Sequence, residues 1–193
     1  QYSSSMIVTD AAHQHLATGF PIGKRFASVE VVRVGDGNAV HLGHHAKADG
    51  RWRIYAFAGP EASAFDAWAA WMSSPESPLA LYTPAGADVD AVFDVKAIYQ
   101  GRYEDVDIAR VPEVFLPKTG PLGLTDWEKV YAAGVSAWTT RDIFDERELS
   151  RDGVVVVVRP DQYVAAVVPL DATNELSEFF AQSLLPQQAS AAR

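Results

Sequence analysis

The stretch Gly153-Val154-Val155-Val156-Val157-Val158-Arg159-Pro160-Asp161-Gln162-Tyr163-Val164-Ala165-Ala166-Val167-Val168 decides the fold. Its five successive valines are β-branched and stiff at χ1, which suits a pleated surface and penalises a helix. The run is unbroken rather than alternating, so it predicts a strand covered on both faces. Arg159-Pro160-Asp161-Gln162 reads as a four-residue turn: Pro160 pre-sets φ at the second position and Asp161 tolerates the third. A second strand, Tyr163 to Val168, runs back until Pro169. This hairpin is expected in the middle of the protein, and none of its residues carries chemistry.

Outward from the hairpin, the pattern alternates between strand and helix periods. Phe26 to Val34 and Val40 to Leu42 read as strands around a Gly35-Asp36-Gly37-Asn38 turn. Asp49-Gly50 favours a second hairpin, leading into a strong strand from Trp52 to Ala58. Phe65, Trp68, Ala69 and Met72 then fall at i, i+3, i+4 and i+7, one stripe of a helix over Glu61 to Met72. Pro60 and Glu61 suit its start, and Ser73 to Pro78 ends it. Ala91 to Tyr99 is a further strand. Residues 100–152 carry Pro112, Pro117, Gly120, Pro121 and Gly123, which predicts a long surface connection with a helical turn or two at Thr125 to Ala132. After the hairpin, Asn174 to Leu185 is a closing helix with Leu176, Phe179, Phe180 and Leu184 facing inward.

Composition bounds the function. The 193 residues, 48% apolar, suffice for one core-bearing domain with extensions. Sixteen basic against 25 acidic residues leave a net charge of −9. Such a surface repels phosphate backbones and anionic membranes, so neither a nucleic acid nor a membrane is an expected partner. With no cysteine, disulfides, thiolate metal sites and dithiol redox chemistry are excluded. That usage fits a cytoplasmic protein. No apolar run approaches the roughly 20 residues that span a bilayer. Gln1-Tyr2-Ser3-Ser4-Ser5 lacks the basic and apolar regions of a signal peptide, and the missing initiator Met points to a piece of a longer chain.

Three stretches carry a family resemblance: Gly19-Phe20-Pro21-Ile22-Gly23-Lys24-Arg25-Phe26 with Val40-His41-Leu42-Gly43-His44; Asp49-Gly50-Arg51-Trp52-Arg53-Ile54-Tyr55-Ala56-Phe57; and Val155 to Ala165, through the turn Arg159-Pro160-Asp161-Gln162-Tyr163. Together, from about Tyr2 to Leu184, they resemble the C-terminal region of flavin-dependent aromatic hydroxylases of the phenol 2-monooxygenase and 3-hydroxybenzoate 4-monooxygenase type. The element order matches the fold this implies: an α/β, thioredoxin-like sandwich with a mixed sheet, a C-terminal β-hairpin and a last helix, redox-inactive for want of cysteine. The resemblance implies a homodimer-forming assembly domain packed on an upstream FAD-binding catalytic domain. It also implies that FAD and NADPH belong to that parent enzyme, which is expected to hydroxylate phenolic rings with dioxygen. The expected division is a lead-in at 1–23, the end of the upstream catalytic region; the thioredoxin-like domain at 24–185 with an insertion at 100–152; and a flexible tail at 186–193.

No cofactor, catalytic or metal residue is expected in this chain. The glycine fingerprint that seats pyrophosphate on a helix N-terminus is missing, and Gly35-Asp36-Gly37 reads as a turn. His13-x-His15 and His41-x-x-His44-His45 offer imidazoles without an evident third ligand. No serine sits in a nucleophile elbow, Ser136 included. The carboxylate groups Asp88/Asp90, Glu104/Asp105/Asp107 and Asp142/Asp145/Glu146/Glu148 fall in loops, where solvation is expected. Trp127, Tyr131 and Trp138, in the uncertain connection, are the candidate partner-facing patch, since aromatics concentrate at binding hot spots. Arg159, Pro160, Asp161 and Tyr163 mark the structural turn. The competing reading is an autonomous small-molecule-binding protein of the same fold, without catalysis, using a pocket between hairpin and helix.

Overall fold

The computed structural model describes residues 1–45, 47–134 and 141–187. Strands β1 (Glu30–Arg33) and β2 (Ala39–His41) form a hairpin. Strand β3 (Trp52–Phe57) leads into helices α1 (Ala62–Met72) and α2 (Pro78–Tyr82), and β4 (Phe93–Tyr99) returns parallel to β3. A long connection of 3-10 turns carries a two-stranded ribbon, β5 (Lys118–Thr119) and β6 (Leu124–Thr125), and then β7 (Val130–Ala132). Helix α3 (Ile143–Glu146), strands β8 (Val154–Val158) and β9 (Val164–Val168) and helix α4 (Thr173–Ala181) complete the described chain.

The described residues form one mixed sheet in the order β2-β1-β7-β4-β3-β8-β9. The pairs β3/β4 and β4/β7 are parallel and the others antiparallel. Within it, strand–helix–strand, hairpin and final helix follow the expected thioredoxin-like order. The valines of β8 are buried on both faces. Val155 and Val157 join the core under α1 and α4, while Val154, Val156 and Val158 face the opposite side. An unbroken valine run is stable only in such a doubly covered position.

The first face is roofed by Phe65, Trp68, Ala69 and Met72 of α1, with Leu176, Phe179 and Phe180 of α4. Trp52 meets Phe179 and Phe180 edge-on, at 5.8 and 5.4 Å between ring centroids. The second face is covered differently. Val8, Ala17, Phe20, Ile22 and Phe26 of the N-terminal segment pack on it, together with Ile143 and Phe144 of α3. Phe20 stacks on Phe26, and Phe26 stacks on Tyr55 of β3 at 4.7 Å. Residues before 24 are irregular, as expected, and they place Val8, Ala17, Phe20 and Ile22 in this second core layer.

Two expectations are corrected and two are extended. The valine hairpin is not central: β9 ends the sheet. Its outer edge is covered by the N-terminal segment through Thr9 N–H to Ala165 O, Gly23 N–H to Val164 O, Val164 N–H to Lys24 O and Phe26 N–H to Gln162 O. These bonds satisfy backbone groups that an open edge would present to other chains. Asp49-Gly50 makes no hairpin, because β2 pairs with β1 at the far edge of the sheet. Thr125 to Ala132 holds one 3-10 turn, Trp127–Lys129, and no α-helix. Val130-Tyr131-Ala132 instead enters the sheet between β1 and β4, a strand too short to show a period in the sequence. Beyond Ser73 to Pro78 lies a second short helix, α2, with Pro78 in its first turn and the Ser77 hydroxyl accepting from Ala80 N–H.

Candidate interaction surface

The register of the parallel strands gathers charge on the second face. Arg53 pairs across from Asp94 and Tyr55 across from Lys96. Ala97 lies opposite Val130, which brings Lys129 level with Lys96. The Lys129 ammonium donates to Asp94 Oδ1 at 2.7 Å and to Asp90 Oδ2 at 2.8 Å. Lys96 Nζ lies 3.2 Å from Asp94 Oδ2, and Arg53 Nε 3.7 Å from the same oxygen. Asp49 pairs with Arg51 and Arg53, Arg51 reaches Asp90, and Asp126 reaches Lys129. Arg51, Arg53, Lys96 and Lys129 thus face Asp49, Asp90, Asp94 and Asp126, a locally neutral network closed on itself.

Burial alone would raise the Asp94 carboxyl, but Lys96, Lys129 and Arg51 outweigh it and hold the group well below the usual carboxylate range. Lys129 is pushed down by burial and pulled up further by Asp94 and Asp90, so it stays an ammonium. Lys96 moves the other way: burial lowers it, Asp94 only partly offsets that, and Lys129 beside it adds repulsion. Burial likewise pushes up the phenols of Tyr55 and Tyr131. This network latches the start of β3 to the start of β4 and the entry of β7. With its charges paired, and Arg53, Asp90, Asp94, Lys96 and Lys129 buried, it serves as scaffold. The expectation of solvated loop carboxylates is corrected at Asp90, which is buried; Asp88, Glu104, Asp105 and Asp107 are exposed.

The predicted patch does not hold together. Tyr131 is fully buried in β7, its hydroxyl donating to the Glu128 carbonyl, and so cannot face a partner. The central strand it occupies was unreadable from the sequence. Trp138 lies outside the described residues. Trp127 is half exposed. Beside it the ribbon β5–β6 presents Leu122 at 79% and Leu124 at 65% exposure, with Val89 exposed nearby in the preceding loop. Among the described residues the ribbon pairs with no strand of the main sheet. It is anchored by Gly120 N–H to Asp88 Oδ2 and by Asp126 N–H to Pro117 O, each at 2.9 Å. A groove of about 520 Å³ runs along its base, lined by Val89, Glu113, Leu116, Pro117, Lys118 and Trp127 among others.

The hairpin turns through Arg159-Pro160-Asp161-Gln162, with Gln162 in the left-handed region at φ of +72°. Gln162 N–H closes onto Arg159 O at 2.9 Å, and Arg159 N–H onto Tyr163 O at 2.8 Å. The Arg159 guanidinium pairs with Asp161 and stacks over the Tyr2 ring, 4.7 Å from its centroid. Tyr2 in turn meets Tyr163 edge-on. The turn therefore clamps the start of the N-terminal segment.

A cleft of about 300 Å³ lies between β9, α4 and the N-terminal segment, lined by Asp10, His13, Glu175, Glu178 and Phe179 among others. His13 Nε2 lies 3.0 Å from Glu175 Oε2 there. Elsewhere the rings of His41 and His44 lie 5.0 Å apart. Among the described residues no cluster of three metal-ligating side chains occurs.

The sequence matches the family described as phenol hydroxylase, C-terminal dimerisation domain, over residues 1–188. The chain belongs to this family. Within and around the dimerisation-domain family, it is 44% identical to a 3-hydroxybenzoate 4-monooxygenase of Comamonas testosteroni, covering 93% of this chain and 29% of that protein. It is 31% identical to an FAD-dependent monooxygenase, terD, of Aspergillus terreus, covering 92% of this chain and 30% of that protein. The chain thus spans about three tenths of the length of these relatives. Its fold resembles a thiol:disulfide interchange protein from Bacteroides sp., with a TM-score of 0.52 at 12% identity, covering 83% of this chain and 91% of that one. That likeness shows a thioredoxin-like fold.

Among the described residues of this dimerisation-domain chain the exposed large apolar side chains fall into three groups. Tyr2, Met6 and Ile7 lie on the N-terminal segment. Leu81 and Leu185 form a second group, Leu81 O accepting from Gln187 N–H two residues beyond Leu185. Val89, Leu122, Leu124 and Trp127 surround the ribbon. Sequence reading found Trp127 and missed the leucines, which sit in a Pro- and Gly-rich stretch without periodicity. It also missed the ionic network. The one available signal was Arg53, Asp94 and Lys96 standing at every second place in otherwise apolar strand patterns.

Proposed function

We propose that this chain is the C-terminal assembly and dimerisation module of an FAD- and NADPH-dependent aromatic-ring hydroxylase, whose parent reaction inserts oxygen from dioxygen into a phenolic compound such as 3-hydroxybenzoate or phenol. The observation that supports the reading is the family match along nearly the whole chain, combined with 44% identity to a 3-hydroxybenzoate 4-monooxygenase more than three times as long. In this reading FAD, NADPH and substrate are held upstream, in the catalytic part. Residues 1–23 form the junction with that part, and the protein works in the cytoplasm.

Sedimentation equilibrium over a wide concentration range tests the assembly role. A strict monomer with no affinity for a separately prepared FAD-binding part would sink it. Absorbance tests the division of labour: purified chain that carried yellow flavin and consumed NADPH with a phenolic acid would place the catalytic part here instead.

The cleft between β9 and α4 favours one other reading, a small-molecule-binding protein of the same fold. Its Asp10, Glu175 and Glu178 lining repels aromatic acids and suits a cationic or neutral ligand better. Saturable heat on titration with a neutral or cationic aromatic compound would support this second reading against the first.

A further inference from the structure

We infer that the face carrying the β5–β6 ribbon and Trp127 is the surface on which a second copy of this chain docks, about a two-fold axis. The inference rests on the assembly reading above and adds where the copies meet and in what register.

The first argument is the form of the ribbon. Strands of two residues, paired only with each other, are marginal without a cover. Yet this ribbon spends two leucines on solvent, at 79% and 65% exposure, beside the one exposed tryptophan among the described residues. Apolar groups so gathered mark an interface rather than scattered surface. The second argument is shape. The groove at the ribbon's base adjoins a second hollow of about 250 Å³, and the two share Val89, Glu113 and Pro117. Projection and socket lie side by side on one face. A two-fold axis through such a face seats each copy's leucines in the other's groove, as an isologous contact requires.

The third argument is charge. Two chains of net charge −9 repel across most of their surfaces. The groove is locally neutral: its walls carry exposed Glu113 and Lys118, neither with an ion-pair partner among the described residues. Across a two-fold axis, Glu113 of one copy meets Lys118 of the other, twice. The N-terminal group fits a second copy less well, because the adjoining cleft carries Asp10, Glu175 and Glu178.

Sedimentation equilibrium on the wild type, Leu124→Glu, Glu113→Lys and Lys118→Glu tests this, with circular dichroism confirming that each variant folds. The dimer of each single variant is expected to weaken about tenfold or more, the scale set by a central apolar anchor or a close charge pair. An equimolar mixture of Glu113→Lys and Lys118→Glu is expected to return to near wild-type affinity, since both contacts in the mixed dimer join opposite charges. Single variants that dimerise like the wild type would place the interface elsewhere while leaving the assembly reading intact. A mixture as weak as its components would overturn the reciprocal register. A wild type that stays monomeric, and binds the FAD-binding part through Leu124, would make the catalytic part the occupant. A wild type that does neither would overturn both readings.

Discussion

Lys129 and Asp94, 35 positions apart in the chain, meet at 2.7 Å with both side chains out of water. Through this contact, and through Asp90 and Asp126, one ammonium ties the loop before β4, the start of β4 itself and the entry of β7. The short β7 is therefore held in the middle of the sheet by charge at one end and by β1 and β4 along its sides.

Removing one partner of such a network should cost far more than replacing another by an apolar group. Asp94→Asn leaves Lys96, Lys129 and Arg53 without their shared counter-charge. A loss of about 3 kcal/mol or more is expected by urea denaturation. Lys96→Met keeps the volume and removes the most poorly compensated buried charge, so its effect should be near zero or mildly stabilising. A larger loss for Lys96→Met than for Asp94→Asn would show that the charges are compensated differently.

The same carboxyl sets the acid limb of stability. Asp94 sits below its unfolded value in the folded chain, so its contribution is complete above about pH 4 and fades as pH falls toward the folded value. Lys96 is shifted down, so the unfolded chain binds its proton more tightly and stability rises with pH just below the ordinary lysine range. Thermal melts across pH should show a steep acid loss in the wild type and a shallower one in Asp94→Asn. Lys96→Met should lose the alkaline rise.

In the hairpin, Gln162 adopts φ of +72° to close the turn onto Arg159. A side chain there costs about 1 kcal/mol relative to glycine, so Gln162→Gly should raise the melting temperature by several degrees. Pro160→Gly should lower stability by about 0.4–1 kcal/mol, because it frees the unfolded chain. Val156→Asp, on the fully buried β8, should prevent folding, as read by loss of near-ultraviolet dichroism.

Deleting residues 1–23 should strip Val8, Phe20 and Ile22 from the second face and uncover the edge of β9. Aggregation under conditions where the full chain stays dispersed is the expected result in dynamic light scattering. The milder Gly23→Ala tests the same strap. Gly23 has φ of +77° and a Cβ there would lie 2.2 Å from Tyr2 O, so the clamp on Tyr2 should loosen. Faster proteolysis near the N-terminus would report it.

Local composition fixed the elements that were legible in advance. Five valines in a row demanded a doubly covered strand, Arg159-Pro160-Asp161-Gln162 demanded a turn, and the stripe Phe65, Trp68, Ala69, Met72 demanded one buried helix face. Those signals lie within a few residues of each other, and they carried the fold class and the family resemblance. Trp127 was readable as a surface aromatic because it stood in a stretch with no core period. Which strands became neighbours was not local. Sheet order is settled by contacts between residues far apart, and it made β9 an edge covered by residues 9–26 and β7 a central strand of three residues.

The sequence alone determined that this chain is an α/β domain with a valine hairpin, that its acidic, cysteine-free surface excludes thiol chemistry, and that no cofactor fingerprint lies within it. Only the tertiary structure decided that Tyr131 is core, that Asp90, Asp94, Lys96 and Lys129 share one dry network, and that Leu122 and Leu124 stand out in solvent beside Trp127. The physical reason is the same in each case. Burial and charge pairing depend on which distant segments the register brings together, and neither has a period that a sequence displays.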